Sequence, residues 1–148
     1  AQGHPAVRFS VLEPGRPVRL GGRTLTAIPV EHSVPTVAYR VDGGDGSLVV
    51  ASDMTVSDAF WPAVNAVADL RYLLIETAFQ DARLDLCRLS GHLCPSLLDQ
   101  ELRRLERPAE VCIVHMKASA AAQIRREIAA LERGRAIRFL ADGDVLTL

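Results

Sequence analysis

The sequence predicts an α/β fold, a mixed sheet with three helices, and three observations carry that reading. Ser47 to Ala51, Tyr72 to Ile75 and Val111 to Val114 are short, nearly continuous apolar runs of the kind found in strands buried on both faces. Segments with helix-like apolar spacing separate and follow these runs. Ahead of them, two stretches rich in β-branched and aromatic residues are bounded by glycine clusters. At 148 residues and 49% hydrophobic content, the chain is long enough to bury a core.

Arg23 to Pro29 and Val37 to Val41 read as the first strands, with Gly21-Gly22 and Gly43-Gly44-Asp45-Gly46 as the turns around them, so the chain opens on a meander. The first helix is expected within Asp58 to Leu70, where Phe60, Trp61, Val64 and Val67 share a face; Pro62 suits an early position in it. From Pro95 a second helix places Leu97, Leu98, Leu102 and Leu105 on one side and Asp99, Glu101, Arg103 and Arg104 elsewhere, with Pro108 closing it. The third runs from about Ser119 to Glu132 with Ile124, Ile128 and Leu131 as its stripe and Gly134 as its stop. A last strand pair, Ala136 to Leu140 and Val145 to Leu148, is expected around the turn Ala141-Asp142-Gly143-Asp144. No internal repeat or linker divides residues 1–148, which read as a single domain.

Composition excludes several function classes. Seventeen basic side chains face eighteen acidic ones, so no global positive field recruits nucleic acid, and a nucleic acid partner is not expected. The apolar runs are far shorter than the roughly 20 residues that span a bilayer, so no membrane partner is expected either. Cys87, Cys94 and Cys112 form no CxxC pair and leave one thiol over, which suits a reducing compartment; a cytoplasmic location is the expectation. Ala1 to Ser10 lack the pattern of a signal peptide, and no initiator Met is present.

The chemistry lies where the strands end. Glu31-His32, Ser52-Asp53, Glu76-Thr77 and His115 each follow a strand run directly. Loops leaving the carboxyl ends of central strands converge on one rim in layered α/β folds, so these residues can meet there. Two neutral imidazoles and a carboxylate suit zinc, manganese or iron. Taken singly, each residue has an ordinary explanation. A lone histidine at a strand end is usually hydrogen-bonded structure, Asp53 can cap a helix, Glu76 can be salt-bridged, and His92 can be loop chemistry. The spacings are too long for a local metal motif, so residue patterns alone lead only to a possible strand-end metal site.

The succession Ile28-Pro29-Val30-Glu31-His32, Ala51-Ser52-Asp53, Leu74-Ile75-Glu76-Thr77, Ser90-Gly91-His92-Leu93 and Val114-His115-Met116-Lys117 resembles the later motifs of phosphodiesterase-type metallo-β-lactamase-fold hydrolases, in the same order. The resemblance covers about Arg23 to Lys117. Of two similar branches, the class II cyclic-nucleotide phosphodiesterases look nearer than the tRNA 3′-end processing endonucleases. Only Ser33 to Ser52 separates the first histidine motif from the aspartate motif, leaving no room for the long arm of the tRNA enzymes.

This resemblance implies half of a four-layer αββα metallo-β-lactamase sandwich, its C-terminal portion. It implies two divalent metal ions, zinc first with manganese or iron as alternatives, held by His32, Asp53 and His115, with Asp53 bridging. A water between the ions would attack phosphorus in line. His92 would act on the substrate as an imidazolium, oriented by Glu76, and Lys117 could reach a substrate phosphate, although such a lysine is usually just solvated. The implied substrate is a small phosphodiester such as a cyclic nucleotide. The HxHxDH signature that supplies most of the metal shell in these enzymes is absent, and the isolated His4 does not replace it. The expectation is therefore part of a longer hydrolase, inactive alone, whose partner is the missing N-terminal half or a second copy in a homodimer. The alternative from another class is a non-catalytic binding or assembly module of the same fold.

Overall fold

The computed structural model describes residues 7, 9–131 and 136–148. His4, the helix end at Glu132 and the stop at Gly134 lie outside the described residues. Seven strands form one sheet in sequential order: β1 (Val18–Leu20), β2 (Arg23–Val30), β3 (Thr36–Asp42), β4 (Ser47–Ala51), β5 (Leu70–Glu76), β6 (Glu110–Val114) and β7 (Ile137–Phe139). From β1 to β4 neighbours pair antiparallel, the expected meander; from β4 to β7 they pair parallel. Each parallel step needs a crossover. The helices α1 (Phe60–Asn65), α2 (Leu84–Ser90), α3 (Pro95–Leu102) and α4 (Ala121–Ala129) provide them, and a short 3₁₀ turn (Asp81–Arg83) leads into α2.

One sheet face carries the core. Ile28, Ala38, Val49, Leu73, Ile75, Val111 and Ile113 alternate inward along adjacent strands and join Phe60, Trp61, Val64, Leu98, Leu102, Ile124 and Ile128 in one buried cluster. The helix stripes read from the sequence are the ones buried: Leu97, Leu98, Leu102 and Leu105 of the α3 segment are at most 5% exposed. The opposite face is also apolar, carrying Val41, Leu48, Val50, Tyr72 and Leu74. These five residues are only partly buried and lie outside the core cluster.

Four expectations are corrected. There are four α-helices among the described residues rather than three, because α2 was not foreseen; its seven residues bury only Cys87, too little for a periodic stripe. The first helix ends at Asn65, well before Leu70, because Leu70 belongs to β5 opposite Ser47 and Asp69 accepts a bond from the Ser47 amide. Val145 to Leu148 make no strand. The turn before them forms, with Asp144 N–H bonded to the Ala141 carbonyl, but Asp144 also bonds back to the Ala141 amide and pairs with Arg138. The tail instead ends beside Gly43, so Ile137–Phe139 pairs with β6 alone. Finally, Glu101 is 2% exposed rather than on the polar side of its helix.

Glu101 is buried because it has donors. Its Oε2 accepts Trp61 Nε1–H at 2.7 Å and the Ser57 amide at 3.2 Å, and Arg104 approaches Oε1 at 3.4 Å. Ser57 in turn accepts the Glu31 amide on its Oγ. Removing the carboxylate strands two N–H groups away from water, each worth about 1–3 kcal/mol. Glu101→Ala is expected to lower stability by about 3 kcal/mol, read as a lower urea midpoint at unchanged slope, whereas Asp99→Ala on the same helix should shift it by less than about 1 kcal/mol.

Candidate metal centre

Strands β2, β4, β5 and β6 run in the same direction, so their carboxyl ends share one rim. His32, Asp53 and His115 leave β2, β4 and β6 there, Glu76 is the last residue of β5, and His92 arrives on the α2–α3 loop. All five candidates from the sequence therefore reach one corner. Among the described residues, His32, Asp53 and His92 form the group able to hold a metal ion, with one ligand atom of each within 4.8 Å of the others. His115 joins through Asp53, its Nε2 3.3 Å from Oδ1, and its ring stacks on His92 at 5.3 Å.

Two of the imidazoles are oriented by their Nδ1. His32 Nδ1 lies 2.7 Å from the Gly91 carbonyl, which can only accept, so Nδ1 donates there and, of the two neutral tautomers, the bond selects the one with a lone pair on Nε2. His92 Nδ1 lies 2.7 Å from Glu76 Oε1. An outer N–H held by a carbonyl or carboxylate, with the other nitrogen open, is the arrangement metal-binding histidines use. The donor set of two such imidazoles and a carboxylate fits a divalent ion of the zinc type.

Glu76 sits fully buried behind this surface. It accepts N–H bonds from Met54 at 2.7 Å and Leu93 at 3.0 Å besides His92. Burial pushes its carboxyl up to about 7, against the pull of the Leu93 and Met54 amides and the nearby His115; the Asp53 charge adds to the rise. Burial also lowers the pKa of His92, with His32 and Lys117 acting in the same direction and Asp53 opposing. These influences together favour the neutral form of His92.

Backbone conformation sets the remaining geometry. Gly91 closes α2 in the left-handed region (φ 74°), with the His92 amide bonded to the Cys87 carbonyl. A Cβ there would stand 2.6 Å from the Ser33 amide and 3.0 Å from His32 Nδ1. His115 itself has φ 60°, which costs an L side chain about 1–2 kcal/mol. It is held in place by Thr77 N–H bonding the Val114 carbonyl and Lys117 N–H bonding the Ala78 carbonyl.

The sequence reading missed three contributors. Phe79 stands edge-on to His92 at 5.9 Å, and Gly91 forces the His32 contact. Thr55 ties the loops, its amide bonded to the Glu31 carbonyl at 2.8 Å and its Oγ1 to the His92 carbonyl at 3.3 Å. Only Gly91 had a visible signal, as the glycine that ends a helix. Cys87, Cys94 and Cys112 are free and buried, and burial raises all three pKa values, so they lie outside this chemistry. No helix among the described residues is long and apolar enough to cross a membrane.

Comparison with known proteins places the fold. No family model matches the sequence, and no curated protein matches it. Solved structures do. The metallo-β-lactamase fold protein YhfI from Bacillus subtilis is 19% identical, with TM-score 0.70 over 88% of this chain and 52% of that one. Unliganded yeast PDE1 is 17% identical, with TM-score 0.71 over 89% of this chain and 48% of that one. The short form of human tRNase Z is 14% identical, with TM-score 0.63 over 88% of this chain and 45% of that one. The chain has the metallo-β-lactamase fold and spans about half the length of these three structures.

Gly91→Ala is expected to displace His32 and strain the α2 terminus together. Unfolding free energy should fall by more than the about 1 kcal/mol of an ordinary helix-end glycine replacement. The His32 imidazole resonances in an NMR spectrum should shift, while those of a distant reporter such as Trp61 stay in place.

Proposed function

We propose that this chain forms part of a metal-dependent hydrolase that cleaves a phosphodiester, with a small ester such as a cyclic nucleotide as substrate. The observation that carries the reading is the convergence of His32, Asp53 and His92, with His115 on Asp53, around open imidazole nitrogens. The fold shared with yeast PDE1 supports it. Divalent ions bound there would supply a Lewis acid for the phosphoryl oxygens and a water acidic enough to attack near neutral pH.

The chain's own residues do the rest. His32, Asp53 and His115 would hold the ions, Asp53 lying close to both histidines, and His92 beside them would be left for the substrate. Glu76 accepts the Nδ1–H of His92 and fixes its ring. His92 would then present a bare Nε2, able to take the proton of the attacking water and return it to the departing oxygen while the Nδ1–H stays on Glu76. Zinc is the first choice for this donor set, with manganese and iron next. The 148 residues hold no HxHxDH string, so a complete metal shell draws further imidazoles from outside them.

Elemental analysis and assays on cyclic AMP and bis-p-nitrophenyl phosphate test this. A form extended N-terminally through the missing motif is expected to hold about two metal ions and cleave one of the esters, while residues 1–148 bind less metal and turn over neither. Asp53→Ala in the extended form should cost at least about a hundredfold in kcat. Metal-free, inactive extended protein would overturn the assignment.

A second reading, a non-catalytic assembly module, draws on the sheet face that carries Val41, Val50 and Leu74 without a helical layer over it. Apolar surface of that kind favours association. Sedimentation of residues 1–148 should then show a homodimer or larger species. A monomer that binds no hydrophobic dye would remove self-association under either reading.

A further inference from the structure

We propose that the cleft lined by Phe79, Gln80, Arg83, Lys117 and Ser119 is an anion subsite beside the metal centre, taking a second phosphate group of the substrate with Arg83 as its anchor. The inference rests on the phosphodiester reading and narrows it to substrates that carry a phosphate besides the one cleaved.

Topology puts the cleft next to the chemistry. Phe79 and Gln80 follow the carboxyl end of β5, and Arg83 sits on the 3₁₀ turn just beyond. Lys117 and Ser119 follow the carboxyl end of β6. The cavity between these two loops measures about 430 Å³, room for a phosphate and the chain that carries it. Phe79 is the wall shared with the metal centre: its ring centroid lies 5.9 Å from that of His92 and 6.0 Å from Lys117 Nζ. A ligand spanning that wall would place one phosphate at the histidines and the next among the cations.

Charge favours the same occupant. Arg83 and Lys117 have no ion-pair partner among the described residues. The acids of this corner are engaged with N–H donors. Asp81 Oδ1 accepts the Ser96 amide, and Glu127 accepts the Asp81 amide and Gln123 Nε2–H. Two cationic residues, Arg83 and Lys117, and the polar Gln80 and Ser119 thus line one cavity. An exposed arginine is ordinarily just solvated; what distinguishes Arg83 is a shared cavity with a second cation at the edge of a metal-type cluster. Its planar fork suits two phosphate oxygens at once, which a lysine ammonium does not match.

Calorimetric titration with inorganic pyrophosphate in EDTA isolates this subsite from any metal. Binding is expected to weaken at least about tenfold in Arg83→Ala and in Lys117→Ala. Arg83→Lys should bind with intermediate strength, and Arg19→Ala, altered on β1, should match wild type. Arg83 and Arg19 are both exposed, so neither change endangers folding. Wild-type affinity in Arg83→Ala, or equal weakening in Arg19→Ala, would overturn the subsite. Metal analysis of the N-terminally extended form, wild type and Arg83→Ala, before EDTA tests the underlying reading apart from it. Bound metal with no effect of Arg83→Ala removes only the subsite; absent metal with Arg83-dependent binding removes the hydrolase and leaves an anion site.

Discussion

A single buried carboxylate holds the rim of this molecule together. Glu76 ends a central strand with no exposed surface and gathers three N–H donors, from Met54 beyond β4, from Leu93 ahead of α3, and from the His92 ring. A carboxylate is stable in such a place only when its lone pairs are filled. The two loops that fill them are thereby brought to a fixed distance from each other. They carry Asp53 and His92, so the cost of burying Glu76 is offset by bonds that also position the site.

The same economy operates one layer deeper. Glu101, from α3, bonds Trp61 in the core and the Ser57 backbone, and Ser57 passes the connection to Glu31 next to His32. Packing of the helices against the sheet is in this way linked to the loops that carry the ligands. Gly91 adds a steric constraint, since only a residue without Cβ lets the α2 terminus press its carbonyl against His32. The His32 and His92 rings are thus held by backbone and buried acid as well as by contact with neighbouring imidazoles.

The sheet is used asymmetrically. Helices pack on one face and form the core together with its inward strand side chains, while the other face keeps partly exposed apolar side chains. Sharing a fold with structures about twice as long accords with a sheet that has one finished side. The candidate site lies on the strand ends rather than on either face, which is why its geometry forms within these residues.

By itself the sequence determined the α/β class, the central apolar strands, the buried leucine stripe of α3 and the identity of the ligand candidates, because period and residue type are local properties that no distant contact has to supply. It also placed His32, Asp53, Glu76 and His115 at strand ends, since each directly follows an apolar run. Where helices stop was beyond it: Leu70 fits a helical stripe but is claimed by the register with Ser47. Glu101 looks polar and exposed until Trp61 and the Ser57 amide arrive from some 40 residues away. Val145 to Leu148 have strand-like residues, but the tail turns toward Gly43 and leaves β7 as the edge. Only the tertiary structure decided the direction in which the His92 pKa moves, the need for glycine at position 91 and the placing of Arg83 and Lys117 along one cavity. Burial, close approach and shared cavities are relations between segments remote in the chain, and they come into being only when the chain folds.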